Sequence, residues 1–468
     1  MKEPLKNNNI KNNYEIYENF DIENNEEKIK NVNLFSSNNK NKFKLFIALL
    51  ILVICLILFI VIYFKINSIN NITNIIMDNN NKLINNKVNI GSSSDYTIND
   101  DEKNLMDYSF KAVYHTSSNN EKIRLFRNTC FDISKMVIDN RRVEPTQEFT
   151  FELPGEHTIY VLLDQSQCNT LHSMFSAINN LKSISFTNLF DTQNIQLMDY
   201  MFFGSSSLVS IDLSYFNTRN VNNMDNMFLG CSSLTSISLF NFDTKNVRYM
   251  DKMFSGCSSL KSIDLSSFNT PNLYKMSYMF SDCSSLQQIN ISNFKTENVI
   301  IMEGLFFGCS SLKSIDINHF NTKNVINMGG MFYKCESLVS INLSNFDTKN
   351  VVNMGNMFSG CSSLAYLDIS IFDTQNTKIM KEMFYGCSSI SSLNLSNFNT
   401  ENVKEINEMF YGCTNLVYLD ISSFVYSYYS KISLFGENYF KGAIKVNKSF
   451  KEKIEDNIPS NWDVQVFN

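Results

Sequence analysis

The sequence predicts an α/β solenoid of about nine 26-residue coils, preceded by a membrane helix and a small β domain. Three observations predict it. Cys231, Cys257, Cys283, Cys309, Cys335, Cys361, Cys387 and Cys413 recur every 26 residues. A Phe recurs on the same beat at 190, 216, 242, 268, 294, 320, 346, 372 and 398. Between those marks the apolar residues follow one template, F-[ND]-T-x-N-V-x-x-M-x-x-M-F-x-G-C-S-S-L-x-S-I-x-L-S-x. A fixed period of this length marks a stack of similar units, none of which can bury its apolar face alone.

Taken in order, residues 1–44 are polar and rich in Asn, and read as a disordered cytoplasmic tail. Residues 45–64, LFIALLILVICLILFIVIYF, carry no charge. At about 1.5 Å per residue they span roughly 30 Å, a bilayer's hydrocarbon thickness. Lys40, Lys42 and Lys44 lie before this run and Lys65 follows it. That asymmetry predicts a signal-anchor helix with the N-terminus in the cytoplasm and the remainder outside the cell. Residues 65–105 form a stalk or linker. Ile69, Ile72, Ile76, Leu83 and Ile90 hint at heptads, but Asn79 and Asn86 interrupt them, so a coiled coil and a flexible spacer both stay open.

Residues 106–165 break into short β-rich runs such as SFKAVYHT, KMVID, EFTFEL and HTIYVLL, separated by turn residues. They predict a small β domain of four to six strands. Cys130 and Cys168 are near enough in the chain to pair outside the cell, although spacing alone does not establish the geometry. The solenoid follows over 166–423. In each coil L-x-S-I-x-L alternates as a strand does. M-x-x-M-F sets apolar groups at i, i+3 and i+4, which predicts a helical turn (Met224, Met227 and Phe228, for example). Residues 424–468 depart from the template and read as the C-terminal cap. Ser449 and Glu452 have capping-box spacing, predicting a helix from about Phe450 to Asp456, with Trp462 closing the last coil.

The F-N-T-x-N-V-x-x-M-x-x-M-F-x-G-C-S-S-L-x-S-I-x-L-S pattern resembles the BspA-like class of leucine-rich-repeat surface proteins, including repeats of mycoplasma surface lipoproteins. The segments Lys135–Asp139 through Gly155–Tyr160 and Val446–Phe450 through Pro459–Trp462 resemble the lead-in and closing segments of that class. The resemblance covers about residues 107–468. It implies a leucine-rich-repeat-like solenoid, surface display, and adhesion or host-protein binding without enzymatic activity. The membrane helix departs from the lipid-anchored members, so their mode of anchoring does not carry over.

Each repeated residue type admits a chemical and a packing reading. The cysteines invite stacked disulfides or a metal site, yet the array has no C-x-x-C and Ser205 fills the slot in the first copy, which suits a small buried group. Sixteen of the 21 Met fill the two Met slots, but Leu305 and Ile406 also stand there and bind no metal, so these are core residues. The Thr and Asn of T-x-N occur in all nine copies and predict hydrogen bonds to the turn backbone of their own and neighbouring coils. No cofactor or metal ligand set is expected, and no catalytic residue: His115, His157, His172 and His319 are scattered, with no nucleophile triad or phosphate loop.

The variable slot in I-x-L reads Asp212, Ser238, Asp264, Asn290, Asp316, Asn342, Asp368, Asn394, Asp420. Strand alternation sets it opposite the buried Ile and Leu. Alternating acid with neutral residues keeps like charges apart on a solvated ladder. The same row also fits a carboxylate surface for a basic partner or a cation such as Ca²⁺. Tyr366 and Tyr418, two residues before their acids, add aromatic anchors. The candidate partner-binding residues are therefore Asp212, Asp264, Asp316, Asp368, Asp420, Tyr366 and Tyr418. The sequons at Asn290, Asn342 and Asn394 would place glycans on that same face in a cell that glycosylates.

A net charge of −6 with no basic, aromatic-interleaved patch argues against nucleic acid. The reading is a single-pass cell-surface protein whose repeats bind extracellular or host macromolecules, protein or glycan. The alternative is a receptor or sensor that signals through the short tail.

Overall fold

The structure is a computed structural model that describes residues 107–127, 130–164, 168–425, 432–435, 441–454, 456 and 458–467. Residues Asp95–Asn468 make one compact unit. The tail, the membrane helix and the stalk expected over 1–105 lie outside the described residues. Among the described residues no helix is long and apolar enough to cross a membrane.

Before the repeats come β1 (Phe110–Thr116), β2 (Glu121–Arg124), β3 (Asp132–Ile138), β4 (Arg141–Val143), β5 (Glu148–Phe151) and β6 (Gly155–Asp164). β2 and β5 pair as a separate antiparallel ribbon. The remaining four join the repeats through β7 (Leu181–Phe186) and β8 (Ser210–Asp212) in one sheet of order β4-β3-β6-β1-β7-β8. β1 runs antiparallel to both β6 and β7, whereas β7 and β8 are parallel. The backbone edge of the first coil is thus covered by β1 and not left open to pair with another chain. Phe110 on β1 anchors the junction, its ring 5.4 Å from Phe175 and 5.9 Å from Phe186. Cys130 and Cys168 form a disulfide, Cα atoms 5.3 Å apart, tying the β region to the entry of the first coil.

The solenoid that follows is built from strands and turns. Parallel pairing recurs along the L-x-S-I-x-L segments in three separate sheets, where β8, β9 (Ser262–Asp264), β10 (Gln288–Asn290), β11 (Ser392–Asn394) and β12 (Tyr418–Ile421) are formed. The coils of Leu234, Leu312, Leu338 and Leu364 make no regular strand there, although these leucines are all fully buried. A second column of parallel bridges links Thr170, Leu197, Asn223, Tyr249, Lys275, Ile301, Asn327, Asn353, Ile379 and Glu405, about ten turns in all.

The helix expected at M-x-x-M-F is absent, which corrects the α/β assignment to a solenoid of strands and turns. In the coil at 224–231, Met224, Asn226, Phe228 and Gly230 donate their N–H groups to Tyr249, Asp251, Met253 and Ser255 of the next coil, at 2.7–3.0 Å. The intervening Met227, Leu229 and Cys231 donate three residues back within the coil, at 3.1–3.3 Å. An α-helix directs its interior N–H groups to its own carbonyls and leaves none for a neighbouring coil. Left-handed φ at Asn226 (58°) and Gly230 (77°) turns the chain so that alternate N–H groups face outward along the stack. Met224, Met227 and Phe228 still bury one shared face, so the spacing identified the core residues without identifying the backbone.

That core is made of columns. Phe202, Phe228, Phe254, Phe280, Phe306, Phe332, Phe358, Phe384 and Phe410 stack with centroids 5.5–5.9 Å apart and planes within 12°. Each buried ring contributes about 1.5–3 kcal/mol by leaving water, and about 0.5–1.5 kcal/mol more by stacking. Phe435 extends this column beyond the template, 5.6 Å from Phe410, and Trp462 packs on it at 5.8 Å. Gly442 is required there, because a Cβ would fall 2.6 Å from the Trp462 ring.

The C-terminal segment continues the parallel sheet as β13 (Ala443–Asn447) and β14 (Asp463–Phe467), in the order β11-β12-β13-β14. Between them lies α1 (Lys448–Ile454), the one α-helix among the described residues. It begins earlier than the capping-box reading placed it. The cap is Asn447, whose Oδ1 accepts the Phe450 N–H at 2.8 Å and the Ser449 hydroxyl at 2.9 Å.

Candidate functional site

Most of the repeated polar groups are consumed by the stack. Every array thiol donates to a Phe carbonyl in the preceding coil, from Cys231 to Phe202 at 3.2 Å through Cys413 to Phe384 at 3.1 Å. Ser205 does the same to Phe175 at 2.6 Å, which explains why Ser substitutes in a slot otherwise held by Cys. Burial pushes the thiols of Cys231, Cys361 and Cys413 up to about 12, and those between them in the same direction. The thiols are therefore buried hydrogen-bond donors. Among the described residues no group of three or more His, Cys, Asp or Glu is placed to hold a metal ion.

The T-x-N residues also work between coils. Thr218, Thr244 and Thr270 donate to the carbonyls of Asp243, Asn269 and Lys295 at 2.9–3.0 Å. Asn220, Asn246 and Asn272 donate to Gln193, Arg219 and Lys245 of the previous coil at 2.8 Å. The Thr lies buried and the Asn exposed, so one ladder satisfies the interior backbone and the other the rim.

On the strand face, Asp212, Asp264, Asp316 and Asp368 are exposed, and each uses one carboxylate oxygen to accept the N–H two residues on. Asn290, Asn342 and Asn394 make the same bond with their amide oxygens. The slot thus selects an Asp or Asn oxygen that ends the strand in a turn. The backbone N–H groups of Ser266 and Ser370 hold the Asp264 and Asp368 carboxyls below their ordinary range. The structure separates these four acids by two coils, roughly 10 Å at the spacing of parallel strands.

Asp420 and Tyr418 differ. Asp420 is buried and ion-paired with Lys445 on β13 at 3.6 Å, while the Lys445 ammonium lies 5.5 Å from the Tyr418 ring centroid. These three residues close on one another at the C-terminal end of the row. Tyr366 stays 70% exposed beside Asp368. The exposed candidate set is therefore Asp212, Asp264, Asp316, Asp368 and Tyr366.

Three matches to a family model described as "Mycoplasma protein of unknown function, DUF285" cover residues 169–290, 258–365 and 337–454. The chain belongs to this family. The DUF285 matches begin near the first coil and run through the Cys and Phe columns into α1, so the segments that match are those that stack. No curated protein matches the chain. A solved structure titled "Crystal structure of TLR13-ssRNA13 complex" is similar at 14% identity over 56% of this chain, with a TM-score of 0.14. This chain spans half the length of that one.

A further concave site lies on the turn face, where sequence reading placed nothing. The two x residues of M-x-x-M are Glu303-Gly304, Gly329-Gly330 and Gly355-Asn356 in three consecutive coils. Gly329, Gly330 and Gly355 line a groove of about 530 Å³ with Tyr278, Phe307 and Tyr333 along it. Gly304 admits the Tyr278 ring, which lies 2.2 Å from where a Cβ would stand. The sequence signal was present as a run of glycines in slots that hold Asp, Ser, Lys or Asn elsewhere.

Proposed function

We propose that this DUF285 chain is a BspA-like surface protein, held in the membrane by a helix at 45–64, whose solenoid acts as an adhesin for extracellular proteins or glycans. The observation that carries this reading is the division of labour within each coil. Thiol, Thr hydroxyl and Asn amide all bond backbone between coils, which leaves recognition to the exposed slots where the copies differ. On the strand face those slots present Asp212, Asp264, Asp316 and Asp368, with Tyr366 as an aromatic anchor. Repeated weak contacts to a basic partner would add through avidity.

The test displays the full chain on a cell and measures adhesion to matrix proteins and host cells. Replacing the four exposed acids with Asn keeps the turn bond that Asn290 already makes, so the fold is retained. Adhesion should drop and lose its dependence on salt. Unchanged adhesion would sink the strand-face assignment. Failure of a tail-deleted, correctly displayed chain to adhere would favour the receptor reading over simple adhesion.

A further inference from the structure

We propose that the glycine-floored groove on the turn face is a saccharide-binding site, distinct from the strand face. Its floor carries Gly329, Gly330 and Gly355. Gly304 and Gly330 have left-handed φ of 58° and 60°, where glycine is readily accommodated, but Gly329 and Gly355 do not. Backbone conformation therefore gives no reason for glycine at 329 or 355, and the same slot carries Asp225, Asp251, Ser277 and Lys381 in other coils. What glycine provides at these two positions is room for neighbouring groove walls: a Cβ would lie 2.7 Å from Asn353 Nδ2 at Gly329 and 3.0 Å from Ile379 Cγ2 at Gly355.

The walls match a polyol with one apolar face. Phe307 and Tyr333 stack at 4.4 Å, with Tyr278 6.3 Å from Phe307, giving an aromatic strip along the groove. Such an apolar strip can be covered by the C–H face of a pyranose. Fixed polar groups stand beside the strip. The Glu303 carboxylate is oriented by the Tyr278 hydroxyl at 3.0 Å and the Asn327 amide at 3.0 Å, leaving lone pairs to accept sugar hydroxyls. Asn353 uses its Oδ1 on the Gly355 N–H, and its Nδ2 lies over Gly329, 2.7 Å from where a Cβ would be. The volume falls within the range of small-ligand sites, roughly 300–1,000 Å³.

Charge argues against other ligands. A quaternary ammonium would be repelled by the Lys252 and Lys334 ammonium groups, 5.8 Å from the Tyr278 centroid and 5.4 Å from that of Tyr333, a repulsion that a neutral ligand does not meet. An anion would meet Glu303 and Glu405, and Lys381 is engaged by Glu405 at 3.7 Å. A neutral sugar is compatible with all of these groups.

The experiment titrates the purified full-length chain with the methyl glycosides of glucose, galactose, mannose and N-acetylglucosamine, read by saturation-transfer NMR. At least one should bind saturably at up to about 10 mM. Tyr333→Ala should weaken that binding about tenfold or more. Gly329→Gln, in a slot that takes long side chains elsewhere, should abolish it with an unchanged circular dichroism spectrum. Asp264→Asn should leave it intact, so failure of the strand-face reading and failure of this one are told apart. No saturable binding of any glycoside, or equal binding by the Gly329→Gln chain, overturns the proposal. So does capture of peptides from an immobilised peptide array that Gly329→Gln abolishes while the glycosides stay silent, which would assign the groove to a polypeptide.

Discussion

Acids are arranged oppositely on the two exposed faces of the solenoid. On the strand face, Asp alternates with Ser or Asn from coil to coil. On the turn face, Asp199, Asp225 and Asp251 occupy one slot in three consecutive coils. The difference lies in what each carboxylate holds. A strand-face Asp accepts an N–H from its own coil, as Asp264 does from Ser266 at 2.9 Å, so its backbone bond closes a local turn. Asp225 accepts the Asp251 N–H at 2.7 Å, and Asp251 accepts that of Ser277 at 2.7 Å, so each fastens the next coil. The stacked row carries an electrostatic cost: burial, and then the neighbouring Asp251 and Asp199, push the Asp225 carboxyl up to about 6. Like charges are tolerated where the acceptor does structural work between coils, and are spaced where it does not.

The largest effect should come from beneath both faces. Phe306 stacks on Phe280 at 5.7 Å and Phe332 at 5.8 Å, so Phe306→Ala should cost about 3–5 kcal/mol in denaturant unfolding. Stability indistinguishable from the parent would show that the columns do not share the load. Next come the thiols. Cys309→Ser should cost less than about 1.5 kcal/mol, because a hydroxyl can keep the bond to Phe280, as Ser205 does to Phe175. The eight array thiols should resist iodoacetamide at pH 8 until the chain unfolds, since burial disfavours the thiolate.

A smaller change tests the faces directly. The folded Asp225 carboxyl titrates near 6 against an ordinary 3.8, so the folded state holds its proton more tightly between those values. Its contribution to stability therefore falls as pH rises through that window. Asp225→Asn keeps the acceptor oxygen and removes the charge. It should raise Tm at pH 7, with a gain in stability that solvent screening holds to about 1 kcal/mol or less, and leave Tm unchanged below pH 4. A Tm difference that does not vary with pH would break the comparison. The smallest effect belongs to the strand face: Asp264→Asn should change stability by no more than about 0.5 kcal/mol at any pH, because Asn290 already makes its turn bond.

How far the sequence could be read follows from which residues repeat. The Phe, Met, Leu and Cys columns were legible because burial imposes a residue type at every coil, and Ser205 revealed the size of the Cys slot. The M-x-x-M-F backbone was not legible. Spacing of i, i+3 and i+4 buries the same three side chains on a helical turn or on a run of tight turns, and only the bonds from Met224 to Tyr249 and from Asn226 to Asp251 distinguish them. The Asp/Asn slot was legible as exposed, but its turn bond was not, because charge alternation and an oxygen acceptor select the same two residues. Asp420 was read with its row, although Lys445, on a strand beyond the repeats, withdraws it. The groove was missed because glycines at 329, 330 and 355 read singly as turn residues, and they line one surface only when their coils are stacked.

By itself, then, the sequence determined that the chain stacks, with what period, and which side chains face inward, since burial acts on residue type one coil at a time. The tertiary structure decided the path of the backbone within each coil, which acids remain available, and where the surface is hollow. Those depend on hydrogen bonds and empty space between coils, and residues 25–29 apart in sequence meet only once the stack has formed.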